Sequence, residues 1–141
     1  MEPGEIYRHD RFYHNSVTGE LERKYLVFLA STPSEDWVVR LLTSQVNLRP
    51  EEPPCFLQPP YPGYFLGVPG NSLQLKTWVD LRGLRDVDPL DVVGLVKHGI
   101  MTREAALKRE TLIRLIECTA AAEDTTRQQE RALRDQLARM R

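Results

Sequence analysis

Residues 24–43, KYLVFLASTPSEDWVVRLLT, decide the fold of this chain. Two seven-residue runs of apolar, β-branched and aromatic residues flank a polar turn. Runs of this length, bounded by Pro, Ser and Asp, are typical of two strands joined in a hairpin. A symmetric turn would set Ala30 opposite Trp37 and, counting outward, Lys24 opposite Thr43. Because directly opposed residues of an antiparallel pair share a face, a cation and a hydroxyl would then lie side by side, as an anion-binding site needs.

The composition of the chain is that of one globular domain. It has 141 residues, of which 41% are hydrophobic and 28% are charged, enough for a real core. No apolar run approaches the roughly 18 residues that a membrane helix needs, and the short acidic start is unlike a signal peptide. We therefore predict a cytoplasmic protein with no membrane contact, in which Cys55 and Cys118 could pair in principle but are expected to be free thiols.

The net charge of −1, from 19 basic and 20 acidic residues, argues against a protein that coats nucleic acid by bulk attraction. A modest cluster of cations lies in the first 50 residues. On composition alone we interpret it as scattered solvated charge. A local basic site remains compatible with this balance.

The rest of the first half predicts further strands separated by turns. The segments are a short strand over 5–7, a hairpin arm or loop over 9–22, an irregular proline-rich connection over 46–63, a second hairpin of 64–68 with 73–75, and a strand over 76–81. Proline excludes the 46–63 connection from central strands.

The second half predicts helices. Asp88 is placed to cap a helix that stops at Gly99, and Thr102 to cap a second helix with an apolar stripe. The charged segment 123–141 predicts a third helix that extends off a body formed by residues 1–122. Its narrow apolar stripe could also dock a partner or a second copy. Together these elements predict an α+β, mostly β fold: a small, strongly curved sheet or barrel of five to seven antiparallel strands with C-terminal helices.

The order of these pieces resembles the PemK/MazF family of toxins over roughly residues 3 to 118. The matching segments are Gly4–Tyr7, Lys24–Leu29, Leu41–Ser44, Thr77–Asp80 and Arg85–Asp88. The resemblance implies an SH3-like barrel and an endoribonuclease of a type II toxin–antitoxin system, which cleaves single-stranded RNA without a metal. It also implies a homodimer that binds a cognate antitoxin protein, and no cofactor.

The resemblance assigns the expected catalytic pair to Lys24 and Thr43, the two positions that the hairpin count brings together. The family has arginine where this chain has Lys24. A guanidinium grips a phosphate with two donors, whereas an ammonium is a compact point charge.

Metal-free RNA cleavage needs charge stabilisation, which Lys24 could supply, and a hydrogen bond to the phosphate, which Thr43 could donate. Proton transfer suits a histidine, and His14 is our candidate. The expected substrate-binding residues are Arg23, Ser44, His9, Arg11 and Tyr7. A metal site at His9, Asp10 and His14 has no obvious further ligand, so we expect no metal.

Each of these residues also has an ordinary structural interpretation. A lysine that opens a strand is usually a solvated flank, and a threonine in a strand is usually a β-former. Two other functions therefore stay open: a barrel of the same kind that binds RNA or protein without cutting, and a structural protein assembled through its C-terminal helix.

Overall fold

The structure is a computed structural model, and it describes residues 1–33, 36–83 and 92–141. The described residues form the following strands and helices: β1 (Glu5–His14), β2 (Leu21–Ser31), β3 (Trp37–Thr43), β4 (Cys55–Phe56), β5 (Gly63–Gly67), β6 (Thr77–Asp80), α1 (Val92–Lys97), β7 (Met101–Ala106), α2 (Arg109–Ala120) and α3 (Arg127–Met140).

All seven strands belong to one antiparallel sheet with the order β4-β5-β6-β3-β2-β1-β7. The prediction of a mostly β, α+β fold is confirmed at this level. The described strands do not close into a barrel, since β4 and β7 remain at opposite edges of the sheet.

The central hairpin forms as predicted, with one difference in register. Leu26 pairs with Leu41 and Phe28 with Val39, but Ala30 pairs with Val38 rather than with Trp37. A β-bulge between Phe28 and Ala30 gives β2 one extra residue and shifts the pairing near the turn. The outer end of the hairpin keeps the register that the symmetric count predicts.

The sheet carries apolar side chains on both faces. On one face, Val27, Leu29 and Val38 pack against α2 and α3. The helix predicted for the C-terminal segment is present, but it does not extend off the body, because Leu133 and Leu137 are buried in this core. Its apolar stripe therefore docks on the chain's own core.

The second face carries a smaller apolar cluster, and one helix contributes to it. The cluster comprises Tyr7, Leu26, Phe28, Val39 and Met101, with Leu95 of α1 packed against it. Burial on both faces explains why the run Leu26–Ala30 is continuously apolar rather than alternating.

The predicted second helix is present as α2, with Leu112, Leu115 and Ile116 of its stripe buried, but it begins at Arg109 and the segment from Thr102 is a strand instead. Residues 101–106 form β7 on the edge of β1, where Ile6 pairs with Ala105 and Arg8 with Thr102. Ladder hydrogen bonds to an open strand edge override the local capping signal at Thr102. The end of α1 at Gly99 is confirmed by its φ of 74°. The predicted start at Asp88 and the segment Arg85–Asp88 lie outside the described residues.

The second predicted hairpin also differs. Residues 63–67 pair with β6 instead of with residues 73–75, so the segment 68–76 is a loop between β5 and β6. That loop becomes one wall of the site described below.

Cys55 and Cys118 form a disulfide that ties β4 to α2, with their Cα atoms 5.8 Å apart. The expectation of free thiols is therefore wrong, because the fold brings together two cysteines that the sequence separates by 63 positions. Within the parts of the chain that the structure describes, no helix is both long and apolar enough to cross a bilayer.

Candidate functional site

A row of paired residues crosses four neighbouring strands. His9 of β1 pairs with Lys24 of β2, and Thr43 of β3 pairs with Trp78 of β6. Continuing the β2–β3 ladder two residues outward from Leu26↔Leu41 sets Lys24 opposite Thr43. Paired residues of antiparallel strands share a face. The structure thus extends the expected Lys24–Thr43 pair into a row that also holds His9 and Trp78.

A pocket of about 260 Å³ lies at this end of the sheet. Its lining includes four of the predicted site residues: Arg23, Lys24, Thr43 and Ser44. Side chains of three kinds therefore meet there: two cations, two hydroxyls and, from the facing loop, neutral and apolar groups.

Thr43 is oriented by its own chain. Its Oγ1 accepts a hydrogen bond from the backbone N–H of Gln45 at 3.1 Å, where the chain turns after β3. A hydroxyl that accepts in this way keeps its hydrogen to donate to a further group. The Thr43 hydroxyl is thus oriented to donate a hydrogen bond to a further group.

His9 is buried, with 7% of its surface exposed. Its Nδ1 accepts from the backbone N–H of Arg11 at 3.1 Å, and the Phe12 ring packs edge-on against it. Burial lowers the pKa of His9, and the charge of Asp10 opposes this only in part. The imidazole is therefore neutral near pH 7. With Nδ1 as acceptor, Nε2 carries the hydrogen.

Two expected substrate contacts have other surroundings. Tyr7 is buried in the second apolar cluster, where its ring meets Phe28 edge-on at 5.3 Å. The expectation that Tyr7 contacts substrate is therefore wrong, since a ring packed in the core cannot stack on a base. Arg11 is exposed, and its backbone N–H donates to His9.

His14 does not pair with the row. It lies opposite Leu21, three positions along β2 from Lys24, which is about 10 Å at about 3.3 Å per residue. The side chain of His14 lies outside the described part of the structure.

The loop 68–76 contributes to the site, which the sequence did not predict. Ser72, Leu73, Gln74 and Leu75 line the same pocket as the cations. The turn signal at residues 69–71 indicates a loop, but no local signal shows that this loop reaches β7, 33 residues further along the chain.

The prediction that the cations of the first 50 residues are solvated is wrong for two arginines. Arg40 is 1% exposed and donates to the Val39 carbonyl at 2.9 Å and to Thr125 and Gln129 at 3.3 Å. Burial lowers its pKa. Arg40 thereby links β3 to the segment that begins α3.

Arg49 is the second buried arginine. Its guanidinium lies 3.7 Å from Asp80 and above the Tyr61 ring, and burial lowers its pKa. It also donates to the Gln45 carbonyl at 3.2 Å. Gln45 donates its backbone N–H to Thr43 and lines the pocket. Arg49 therefore stabilises the pocket indirectly, through Gln45, and is not one of its lining residues.

Among residues 1–33, 36–83 and 92–141, no group of three or more His, Cys, Asp or Glu side chains is arranged to hold a metal ion. Comparison of the chain with protein-family models, with curated proteins and with solved structures finds no match.

Proposed function

We propose that this protein is an endoribonuclease of the PemK/MazF type, the toxin of a type II toxin–antitoxin pair that cleaves single-stranded RNA. One observation carries the proposal: Lys24 and Thr43 lie on adjacent strands and line one pocket together with Arg23 and Ser44. Cations beside hydroxyl donors are the groups that hold a phosphodiester and stabilise charge on it.

In the proposed reaction, the ribose 2′-oxygen attacks phosphorus, its proton passes to a base, and the bond to the 5′-oxygen breaks as that oxygen gains a proton. Lys24 and Arg23 offset the charge that builds on the phosphate oxygens. Thr43 donates its hydroxyl hydrogen to one of those oxygens. His14, whose side chain lies outside the described residues, is the candidate for proton transfer.

The proposal includes the fold, location and partners of the family. We take the fold to be an open variant of the SH3-like fold of the PemK/MazF kind, in which a loop bonded to β7 stands in place of a closing strand ladder. A toxin of this kind is a cytoplasmic homodimer that binds its antitoxin across the RNA site. Light scattering coupled to gel filtration measures whether the protein is a homodimer.

A non-catalytic module that binds RNA or protein on the same surface is the second candidate. The state of His9 favours it: the imidazole is buried, its Nδ1 is engaged, and its pKa is lowered. In this tautomer Nδ1 is engaged by the Arg11 N–H and Nε2 already carries a hydrogen, so His9 is not set to act as the general base.

Cleavage of a mixed single-stranded RNA by purified protein distinguishes the two. We expect Lys24→Ala and Thr43→Ala each to reduce the cleavage rate by about 10²-fold or more, the size of effect seen when a group that stabilises developing charge is lost. Lys24→Arg should keep activity, since the guanidinium retains the charge. The matched control is Lys97→Ala, which removes an exposed lysine of α1.

If the parent, Lys24→Ala and Thr43→Ala cleave RNA at equal rates, Lys24 and Thr43 are not the catalytic pair. A parent that binds RNA and loses that binding in Lys24→Ala, yet never cuts, would establish the binding module instead.

A further inference from the structure

The loop 68–76 is fastened to the opposite edge of the sheet by one acidic residue. Glu104 of β7 accepts from the Ser72 hydroxyl at 2.8 Å, and its backbone carbonyl accepts from the Asn71 amide at 2.9 Å. The loop follows β5, near one edge of the sheet, whereas β7 is the other edge. Two hydrogen bonds to one residue thus span the open side of the sheet.

Glu104 is itself fixed from the strand side. Arg8 of β1 donates to its second carboxylate oxygen at 2.6 Å and to Asp10 at 2.7 Å. The Glu104 side chain is only 14% exposed. A carboxylate held by an arginine on one oxygen and by a serine on the other has little freedom to move, so it determines where Ser72 lies.

The fastened loop forms the uncharged wall of the pocket. Arg23 and Lys24 of β2 line the pocket together with Ser72, Leu73, Gln74 and Leu75 of the loop. The Gln74 amide nitrogen donates to the Asn71 carbonyl, so the Gln74 amide is oriented by the loop itself. Its carbonyl oxygen and second amide hydrogen keep hydrogen-bonding capacity.

The chemistry of the two walls differs in a way that suits one nucleotide. Cations take a phosphate, while an amide and a hydroxyl between leucine side chains can read the edge of a base and cover its face. At about 260 Å³, the pocket lies below the roughly 300–1,000 Å³ of sites for drug-sized ligands, so it accepts a single small group.

We propose that the loop 68–76 reads the base next to the scissile phosphate through Gln74, and that Glu104 is the positioning residue that holds the loop in place. This inference rests on the proposed function, because it takes the ligand of the pocket to be RNA.

The test compares the sites of cleavage in a single-stranded RNA of randomised sequence, mapped by sequencing of the products. We expect Gln74→Ala to change the preference for the base beside the cut by about fivefold, the size of one neutral hydrogen bond, with a smaller change in the total rate. Gln58→Ala, an exposed glutamine outside the pocket, is the matched control.

Glu104→Ala should shift the same base preference and also speed amide hydrogen exchange in residues 70–76 by about fivefold or more, because the loop loses its side-chain anchor. Glu104→Gln should restore both in part, since its carbonyl oxygen can accept from Arg8 while its amide donates to the Ser72 hydroxyl, but the charge that pairs with Arg8 is lost. Glu123→Ala removes an exposed acid away from the loop and should change neither.

A parent that cuts RNA, with a base preference unchanged in Gln74→Ala and Glu104→Ala, would overturn this inference and leave the proposed function intact. A parent that neither cuts nor binds RNA would overturn both. Accelerated exchange in Glu104→Ala with an unchanged base preference would reduce Glu104 to a purely structural anchor and so also contradict the inference.

Discussion

His9 and Lys24 face each other across β1 and β2, and the burial of the imidazole makes this arrangement compatible with a cation. A protonated His9 would place two like charges in directly opposed positions, which destabilises a strand pair. Because its pKa is lowered by burial, His9 is neutral beside the ammonium. With His9 neutral, Lys24 is the cation among the four residues of the row.

The lowered pKa of His9 predicts a pH dependence of stability. The unfolded chain, with an ordinary histidine pKa near 6.5, binds a proton more readily than the folded chain. The free energy of unfolding is therefore highest above about pH 6.5 and falls as the pH drops below it, toward the folded-state pKa. Urea unfolding at a series of pH values between 7.5 and 5 measures this slope.

Two histidine variants separate His9 from other titrating groups. His9→Asn keeps an acceptor for the Arg11 N–H but cannot be protonated, so we expect it to flatten the slope. His98→Gln, in the exposed turn after α1, should leave the slope as it is. The same steep slope in His9→Asn as in the parent would show that His9 does not carry it.

Which site residues could be predicted depends on how far apart their partners lie. Lys24 and Thr43 follow from one hairpin, whose register is a local property of two strands and a turn. The error at Tyr7 arises because the face that a strand buries depends on what packs against it, here Phe28 and α1. Glu104 could not be predicted, since its partners Ser72 and Arg8 are distant in sequence and its own segment carries a helix signal.

Among the elements, α3 shows how a charged helix can still belong to the core. Most of its residues are polar, but Ala132, Leu133 and Leu137 are buried against α2 and the sheet. Its start is fixed by a capping box between Thr126 and Gln129. The sequence predicts the helix and its stripe correctly, and it cannot predict the surface on which the stripe lies.

This packing predicts that α3 is required for stability. Leu133 has no exposed surface, so Leu133→Ala should lower the free energy of unfolding by about 2–5 kcal/mol, through lost burial and a cavity. Leu48→Ala, at a leucine that is 89% exposed, should change it by less than about 0.5 kcal/mol. Denaturant unfolding monitored by circular dichroism measures both.

A helix that projected from the body would give a different result. Leu133→Ala would then behave like Leu48→Ala, and deletion of residues 123–141 would leave a monomer of unchanged stability. The strand β7 illustrates the same dependence on partners: its sequence favours a helix, but the free edge of β1 recruits it into the sheet.

For the whole molecule, the disulfide adds a covalent link between the two halves of the chain. It joins β4, at one edge of the sheet, to α2 on the helical layer. Composition could not predict it, because two cysteines without a known compartment are as consistent with thiols as with a bridge.

The bridge predicts a large effect of reduction on stability. Closing a loop with a sequence separation of 63 should contribute about 4 kcal/mol, mainly by restricting the unfolded chain. Unfolding by urea with and without a reductant measures the difference. The Cys55→Ala/Cys118→Ala double variant should unfold at the lower midpoint in both conditions. Two reactive thiols in protein that is denatured without reductant would contradict the bridge.

The hydrogen bonds from Asn71 and Ser72 to Glu104 also bear on the solubility of the protein. An open sheet presents unpaired backbone groups at its edges, and these can recruit strands from other molecules. Here the edge strand β4 is two residues long, and on β7 the Glu104 carbonyl already accepts from Asn71. An incoming strand would have to displace this loop, beside the charged side chains of Arg103 and Glu104, before it could pair. The loop thus hinders edge-to-edge pairing of another strand at β7.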